Sequence, residues 1–115
     1  MVLIINKMKQ VKLSDGIAEV LISPSLGASV LSYNVLIGDQ RRPIFRENLQ
    51  PDTVLDSCNF PLVPFSNRIR NGEFSWQDQQ IKLPLNNLPE KHTNHGHGWQ
   101  ASWDIIDISK NSVLL

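Results

Sequence analysis

The sequence predicts an all-β protein, an antiparallel β-sandwich, on three observations. Several short runs are rich in β-branched and aliphatic residues, and Gly or Pro closes them. A segment near the C-terminus alternates apolar and polar residues with period two. No apolar pattern at the 3.6-residue helical spacing persists for ten residues.

Taken in order, Val2–Ile5 is the longest apolar run near the start. It is far shorter than the ~20 residues a membrane helix needs, and no signal-peptide core comes after it. Ile17–Ile22 reads as a strand that Ser23-Pro24-Ser25 stops. Gly27 opens a second strand, Ala28–Ile37, closed by Gly38-Asp39. Arg41-Arg42-Pro43 leads into a short Ile44-Phe45 strand, and Asp52–Ser57 predicts a single helical turn after Pro51. Pro61 and Pro64 stiffen an apolar strand that delivers Ser66, Asn67 and Arg68 at its end. Phe74 and Trp76, then Ile81 and Leu83, predict a β-hairpin turning at Gln77-Asp78-Gln79. Trp99, Ala101, Trp103 and Ile105 share one face of a half-buried strand, with Gln100, Ser102 and Asp104 on the other. The phase changes at Ile106 and Ile108, which predicts a bulge or a bend there.

Composition narrows the function. The chain has 115 residues, one domain by length, with 41% apolar and 19% charged residues. Eleven basic residues balance eleven acidic ones, so nucleic-acid binding through bulk charge is not expected. A single cysteine, Cys58, permits no internal disulfide, and the chain reads as a cytoplasmic protein. The last residues, Ser112-Val113-Leu114-Leu115, form an apolar run with no turn or polar tail after it. Two expectations carry equal weight: a chain cut inside a strand, or a last strand that pairs with something.

Two segments could carry chemistry. All three histidines fall within His92-Thr93-Asn94-His95-Gly96-His97. That cluster reads either as a solvated polar loop or as a site at the entrance to a strand, since histidine suits proton transfer near neutral pH. Gly96 and Gly98 allow a positive φ or close approach to a ligand. His95-x-His97 has the spacing of two metal ligands on one side of a strand. The carboxylate and further histidine that would complete such a site are missing, so no metal is predicted. The second segment runs from Asn59 to Gly72. Asn67 can donate and accept, and Arg68 offers a rigid fork of donors, which suits a neutral polyhydroxylated ligand or an anion. Arg68 and Arg70 also fit as exposed residues around a turn at Asn71-Gly72, the preferred reading for Arg70. Arg41-Arg42 reads as a solvated pair without a role.

Pro-Leu-Val-Pro-Phe-Ser-Asn-Arg-Ile-Arg-Asn-Gly (61–72), a hairpin, a Pro/Asn loop and then Asn-His-Gly-His-Gly-Trp (94–99) resemble the aldose 1-epimerase, or galactose mutarotase, family. Ile22-Ser23-Pro24-Ser25-Leu26-Gly27-Ala28 resembles that family's early turn, with Ala28 where a second glycine is common. The resemblance runs from about Val11 to Ile108. It implies a β-sandwich much longer than this chain, so that residues 1–115 would be the N-terminal part of a single sandwich domain that is incomplete here.

The implied reaction interconverts the α and β anomers of a free hexose without a cofactor. A base takes the anomeric hydroxyl proton, an acid protonates the ring oxygen, and the ring opens and recloses. By this resemblance Arg68 hydrogen-bonds sugar oxygens, Asn67 shapes the site, and His95 lies by the ring oxygen as the catalytic histidine. His97 matches a histidine of the bacterial variant of the motif and counts as substrate-binding, while Trp99 belongs mainly to the core. No role transfers to His92. The family's glutamate base and principal acid histidine have no counterpart, and Glu19, Glu47, Glu73 and Glu90 match no motif for the base. The resemblance therefore implies a partial site, and with it a homo-oligomer or a completing chain as partner. The alternative is a non-catalytic sugar-binding or self-associating β-domain.

Overall fold

The computed structural model describes residues 9–115, so the apolar run Val2–Ile5 lies outside the described residues. Ten strands occur among them: β1 (Val11–Ser14), β2 (Ala18–Ser23), β3 (Ser29–Ile37), β4 (Gln40–Pro43), β5 (Arg68–Ile69), β6 (Glu73–Trp76), β7 (Gln79–Lys82), β8 (Thr93–Asn94), β9 (Asp107–Ile108) and β10 (Val113–Leu114). Every pairing is antiparallel, and the only helical pieces described are three single 3-10 turns. The all-β, antiparallel class expected from the sequence is the class observed. Two compact units emerge: residues up to Pro61 together with Trp99–Leu115, and Leu62–Gly98.

The first unit is built on the meander β1-β2-β3-β4. The β1–β2 turn is fixed by Asp15, whose Oδ1 accepts the N–H groups of Ile17 (2.9 Å) and Ala18 (2.7 Å). Those N–H groups stabilise the carboxylate and hold the Asp15 pKa below its ordinary value. Between β2 and β3 the register slips by one residue, from Leu21↔Ser32 to Ile22↔Val30. Leu31 is the extra residue of this bulge. Its carbonyl instead accepts the Asn48 N–H (3.0 Å) and the Cys58 thiol (2.9 Å). The bulge also resets the strand's alternation, so that Leu31 and Ser32 are both buried.

Gly27, at φ +65°, docks this turn against the end of the unit. A Cβ there would lie 2.0 Å from the Trp99 carbonyl oxygen. Its N–H donates to the Ala101 carbonyl (2.9 Å), and the Trp103 N–H donates to that of Pro24 (3.0 Å). Val54 and Trp99, which adjoin Gly27, are buried, as are Val11 on β1 and Leu31 on β3. Trp99 also stacks on Phe60, with ring centroids 5.8 Å apart.

Four local expectations need correction. The strand after β3 is Gln40–Pro43 (β4), not Ile44-Phe45. The N–H groups of Ile44 and Phe45 both turn back to the Tyr33 carbonyl (2.8 and 3.3 Å), which ends the ladder. Trp99–Ile105 is not a strand. Gly98–Gln100 coils into a 3-10 turn, and Ala101 and Trp103 bond to the turn at Pro24–Gly27 rather than to a strand. The expected alternation of exposure survives from Trp99 to Asp104 but fails at Ile105, which is exposed. The segment from Pro61 to Phe65 forms no ladder, since its two prolines have no N–H to offer. Arg41 is not a solvated bystander, because it pairs with Glu47 (2.9 Å) and Glu19 (3.7 Å).

Other expectations hold. The turn after Pro51 forms at Val54–Asp56, where Thr53 and Asp56 make reciprocal cap contacts. The C-terminal apolar run, for which the sequence left two readings open, forms a two-pair ladder, Val113↔Ile108 and Leu114↔Asp107.

In the second unit, β6 and β7 form the expected hairpin. Its turn is tighter than expected, with Gln77 and Asp78 both at positive φ (46° and 61°), the two-residue geometry that matches strand twist. Cross-strand pairing puts Glu73 with Lys82 and Ser75 with Gln80 on one face (3.3 Å ion pair, 2.8 Å hydrogen bond). Phe74, Trp76 and Ile81 share the other face, where Phe74 and Trp76 are exposed. No helix among the described residues is long and apolar enough to cross a membrane.

Candidate functional site

Within Leu62–Gly98, a two-rung ladder pairs Arg68 with Asn94 and Ile69 with Thr93. Residues flanking this ladder supply the candidate chemistry. Asn67 precedes β5 and His95 follows β8, and both take the left-handed conformation (φ 73° and 59°). For histidine that conformation costs on the order of 1 kcal/mol, so the surrounding contacts must hold it. They do so reciprocally. The His95 N–H donates to the Asn67 carbonyl (2.9 Å), and the Asn67 N–H donates to His95 Nδ1 (2.8 Å).

A backbone N–H can only donate, so His95 Nδ1 is an acceptor and the neutral ring carries its proton on Nε2. Farther along the chain the Asn71 N–H donates to His92 Nδ1 (3.1 Å), which sets the same tautomer there. His92, given no role from the sequence, therefore pins the turn at Asn71-Gly72. Both turn residues have positive φ (54° and 67°), and Arg70 is exposed beside them, as expected.

The loop between β7 and β8 braces the ladder. Asn86 accepts the Asn94 N–H at Oδ1 (2.8 Å) and donates from Nδ2 to the carbonyls of Asn94 (2.7 Å) and Gly96 (2.8 Å). Thr93 donates its hydroxyl to the Pro84 carbonyl (2.8 Å). Gly96 does have the positive φ expected (+70°), but its close neighbour is protein. A Cβ there would lie 2.7 Å from the Val63 carbonyl oxygen and 2.2 Å from Pro64 Cδ. Gly98 donates its N–H to that same Val63 carbonyl (3.0 Å).

Arg68 is more than half exposed (55%), and its Nε donates to Glu90 Oε1. Glu90 Oε2 accepts Asn94 Nδ2 (2.8 Å) and, more weakly, Asn87 Nδ2 (3.4 Å). One carboxylate thus bridges two residues that face each other across the ladder. The bond from Arg68 is the main reason the Glu90 pKa falls to about 2 from an ordinary 4.5, and the bond from Asn94 adds to it. In return Glu90 raises the Arg68 pKa. Both groups are ionised at neutral pH.

The four candidates from the sequence therefore separate. Asn67, Arg68 and His95 belong to one hydrogen-bonded cluster, while His97 is exposed and outside it. Trp99 is buried in the other unit, in keeping with a core role. Glu90 and His92 were named in the sequence without a role, and Asn86 went unnoticed. The available signal was the density of Asn around one acidic residue, in a loop feeding directly into the histidine cluster. No group of three His, Cys, Asp or Glu side chains among the described residues is placed to hold a metal ion.

A sequence model of the family described as "Aldose 1-epimerase" matches residues 9–115. The chain belongs to the aldose 1-epimerase family. It is 34% identical over 73 residues to the "Uncharacterized protein YphB" of Escherichia coli (strain K12), a match that covers 64% of this chain and 25% of that protein. It is 37% identical over 54 residues to the "Uncharacterized protein YihR" of the same organism, covering 47% of this chain and 18% of that one. In structure it resembles the crystal structure of a "Putative aldose 1-epimerase" from Escherichia coli K12, with a TM-score of 0.81 and 29% identity over 93% of this chain. The match spans about a third of that structure (35%) and a quarter or less of the two curated relatives. Together with the antiparallel sheets, this likeness supports the β-sandwich class read from the sequence.

Proposed function

We propose that the chain carries the first part of the sugar site of an aldose 1-epimerase acting on a free hexose. The observation that carries this reading is the reciprocal pairing of Asn67 and His95 beside Arg68. It holds the ring of His95 in one tautomer and one orientation, as a residue positioned to handle a proton requires. In this reading Arg68 donates to sugar hydroxyls, Asn67 fixes the approach of both neighbours, and His95 donates from Nε2 toward the ring oxygen. His97 contributes at the exposed rim. The chemistry is two proton transfers and needs neither metal nor organic cofactor.

The base that removes the anomeric proton is assigned to protein beyond the described cluster, supplied by a further part of the fold or by another chain. Glu90 is committed to Arg68 and Asn94 and is held strongly ionised, which suits a structural anion better than a base cycling its proton. That commitment also favours a second reading, a domain that binds sugar without turning it over. The free Cys58 thiol is compatible with a cytoplasmic protein.

Polarimetry with α-glucose and α-galactose tests the proposal. Enzymatic mutarotation predicts a rate above the buffer blank that disappears in His95→Ala. Saturable sugar binding with no rate enhancement would establish the second reading, and absence of both would remove sugar from the account.

A further inference from the structure

Arginine has five N–H donors, and the Nε edge gives the planar, two-pronged grip on phosphates and carboxylates. In Arg68 that edge is engaged by Glu90. The carboxylate cannot easily swing away, because Asn94 Nδ2 holds its second oxygen at 2.8 Å and Asn94 is itself buried and fixed by Asn86. Arg70 and Lys91 are exposed nearby in the chain without a fork fixed at the ladder, and Lys82 of the hairpin pairs with Glu73. The cation best placed to attract an anion at this site is therefore already matched by an internal one.

We propose that Glu90 masks Arg68 against anions, so that the site takes an uncharged polyhydroxylated sugar and rejects sugar phosphates. This rests on the reading above that Arg68 meets the sugar. Glu90 is then a positioning and specificity residue rather than a catalytic one. It fixes the plane of the guanidinium and cancels its charge, and the terminal nitrogens remain as neutralised donors to hydroxyl oxygens.

The test uses the full chain labelled with nitrogen-15, comparing the natural protein with Glu90→Gln. The probes are inorganic phosphate, glucose 6-phosphate, glucose and galactose. The natural protein is expected to show a sharp Arg68 Nε–H signal that exchanges slowly with water, and little response to phosphate. In Glu90→Gln that signal should lose its protection, and affinity for both phosphate probes should rise at least about tenfold, as expected for exposing a cation near a surface. The gain should vanish in the double variant Arg68→Leu/Glu90→Gln. Glu90→Asp keeps the charge but shortens the reach, so it should loosen Nε–H while still excluding phosphate.

Equal phosphate affinity in the natural protein and Glu90→Gln overturns the proposal, as does an Nε–H equally protected in both. Amide signals from β5 and β8 verify folding of each variant; if Glu90→Gln unfolds, Glu90→Asp decides, and an Arg68 Nε–H as well protected in it as in the natural protein overturns the idea. If neither glucose nor galactose shifts the natural protein's spectrum, the sugar reading fails, whereas the phosphate arm still decides whether Glu90 masks Arg68.

Discussion

Asn67 and His95 each donate a backbone N–H to the other, one to a carbonyl at 2.9 Å and one to a ring nitrogen at 2.8 Å. The imidazole thus serves as the last rung of a ladder whose regular part is only two residue pairs long. His95→Ala removes that rung and leaves the Asn67 N–H to water. The Leu62–Gly98 unit should lose about 1 kcal/mol. Faster hydrogen exchange at Ile69 and Asn94, with β1–β4 unchanged, would show it. Unchanged exchange throughout would mean that the ring contact holds nothing.

Gly96→Ala should be far more damaging than its size suggests. The new methyl would meet the Val63 carbonyl and Pro64 in a backbone already at φ +70°. A loss of roughly 3 kcal/mol or more is expected, enough to unfold this unit selectively. Limited proteolysis should cut between Leu62 and Gly98 while the rest of the chain persists.

Ala28→Gly should stabilise the protein. Ala28 sits at φ 53°, where an L side chain is strained and glycine is not. A gain of up to about 1 kcal/mol is expected, less the greater freedom of glycine in the unfolded chain. A urea midpoint that rises without a change in slope would bear this out; a lower midpoint would count against it.

Acid should loosen the Arg68–Glu90–Asn94 bridge before it protonates the bridge fully. The folded pKa of Glu90, about 2, lies below its ordinary 4.5. Its contribution to stability is therefore complete above the ordinary value and is lost as pH falls from there through the folded one. Following the Glu90 carboxyl carbon by NMR should give a midpoint near the lower value, and a midpoint at the ordinary value would show that Arg68 does not hold it.

The hairpin presents Phe74 (41% exposed) and Trp76 (64% exposed) on one face. Two exposed aromatic rings on one face favour contact with the same face of a second copy of the chain. The 115-residue chain should therefore self-associate at micromolar concentration in light scattering. Trp76→Ser should shift it toward monomer, and a natural chain that is already monomeric would refute the idea.

Much of this architecture was legible in the chain. β2, β3 and the β6–β7 hairpin arise from local signals: β-branched runs, alternation and the residues that stop them. Trp99–Ile105 misled because alternation reports which side chains face inward, and that side facing is real as far as Asp104. It does not report whether a neighbouring strand is there to make a ladder. At the site, Asn67, Arg68 and His95 were visible as motif residues. Glu90 and Asn86 were not, because their roles depend on a loop folding back against β8, which no local pattern encodes. Of the two readings open for Gly96, the positive torsion is the one observed, and the closeness of Val63 and Pro64 to it had no sequence signal.

The rims of the four-stranded sheet determine how such a molecule can meet its own copies. On one side the outermost strand is Gln40–Pro43, where Pro43 has no N–H to offer an incoming strand. On the other, β1 already gives the Ser14 N–H to the Lys110 carbonyl at 2.9 Å. Strand-by-strand growth, the route to fibrils, thus meets a proline at one rim and a donor already engaged at the other.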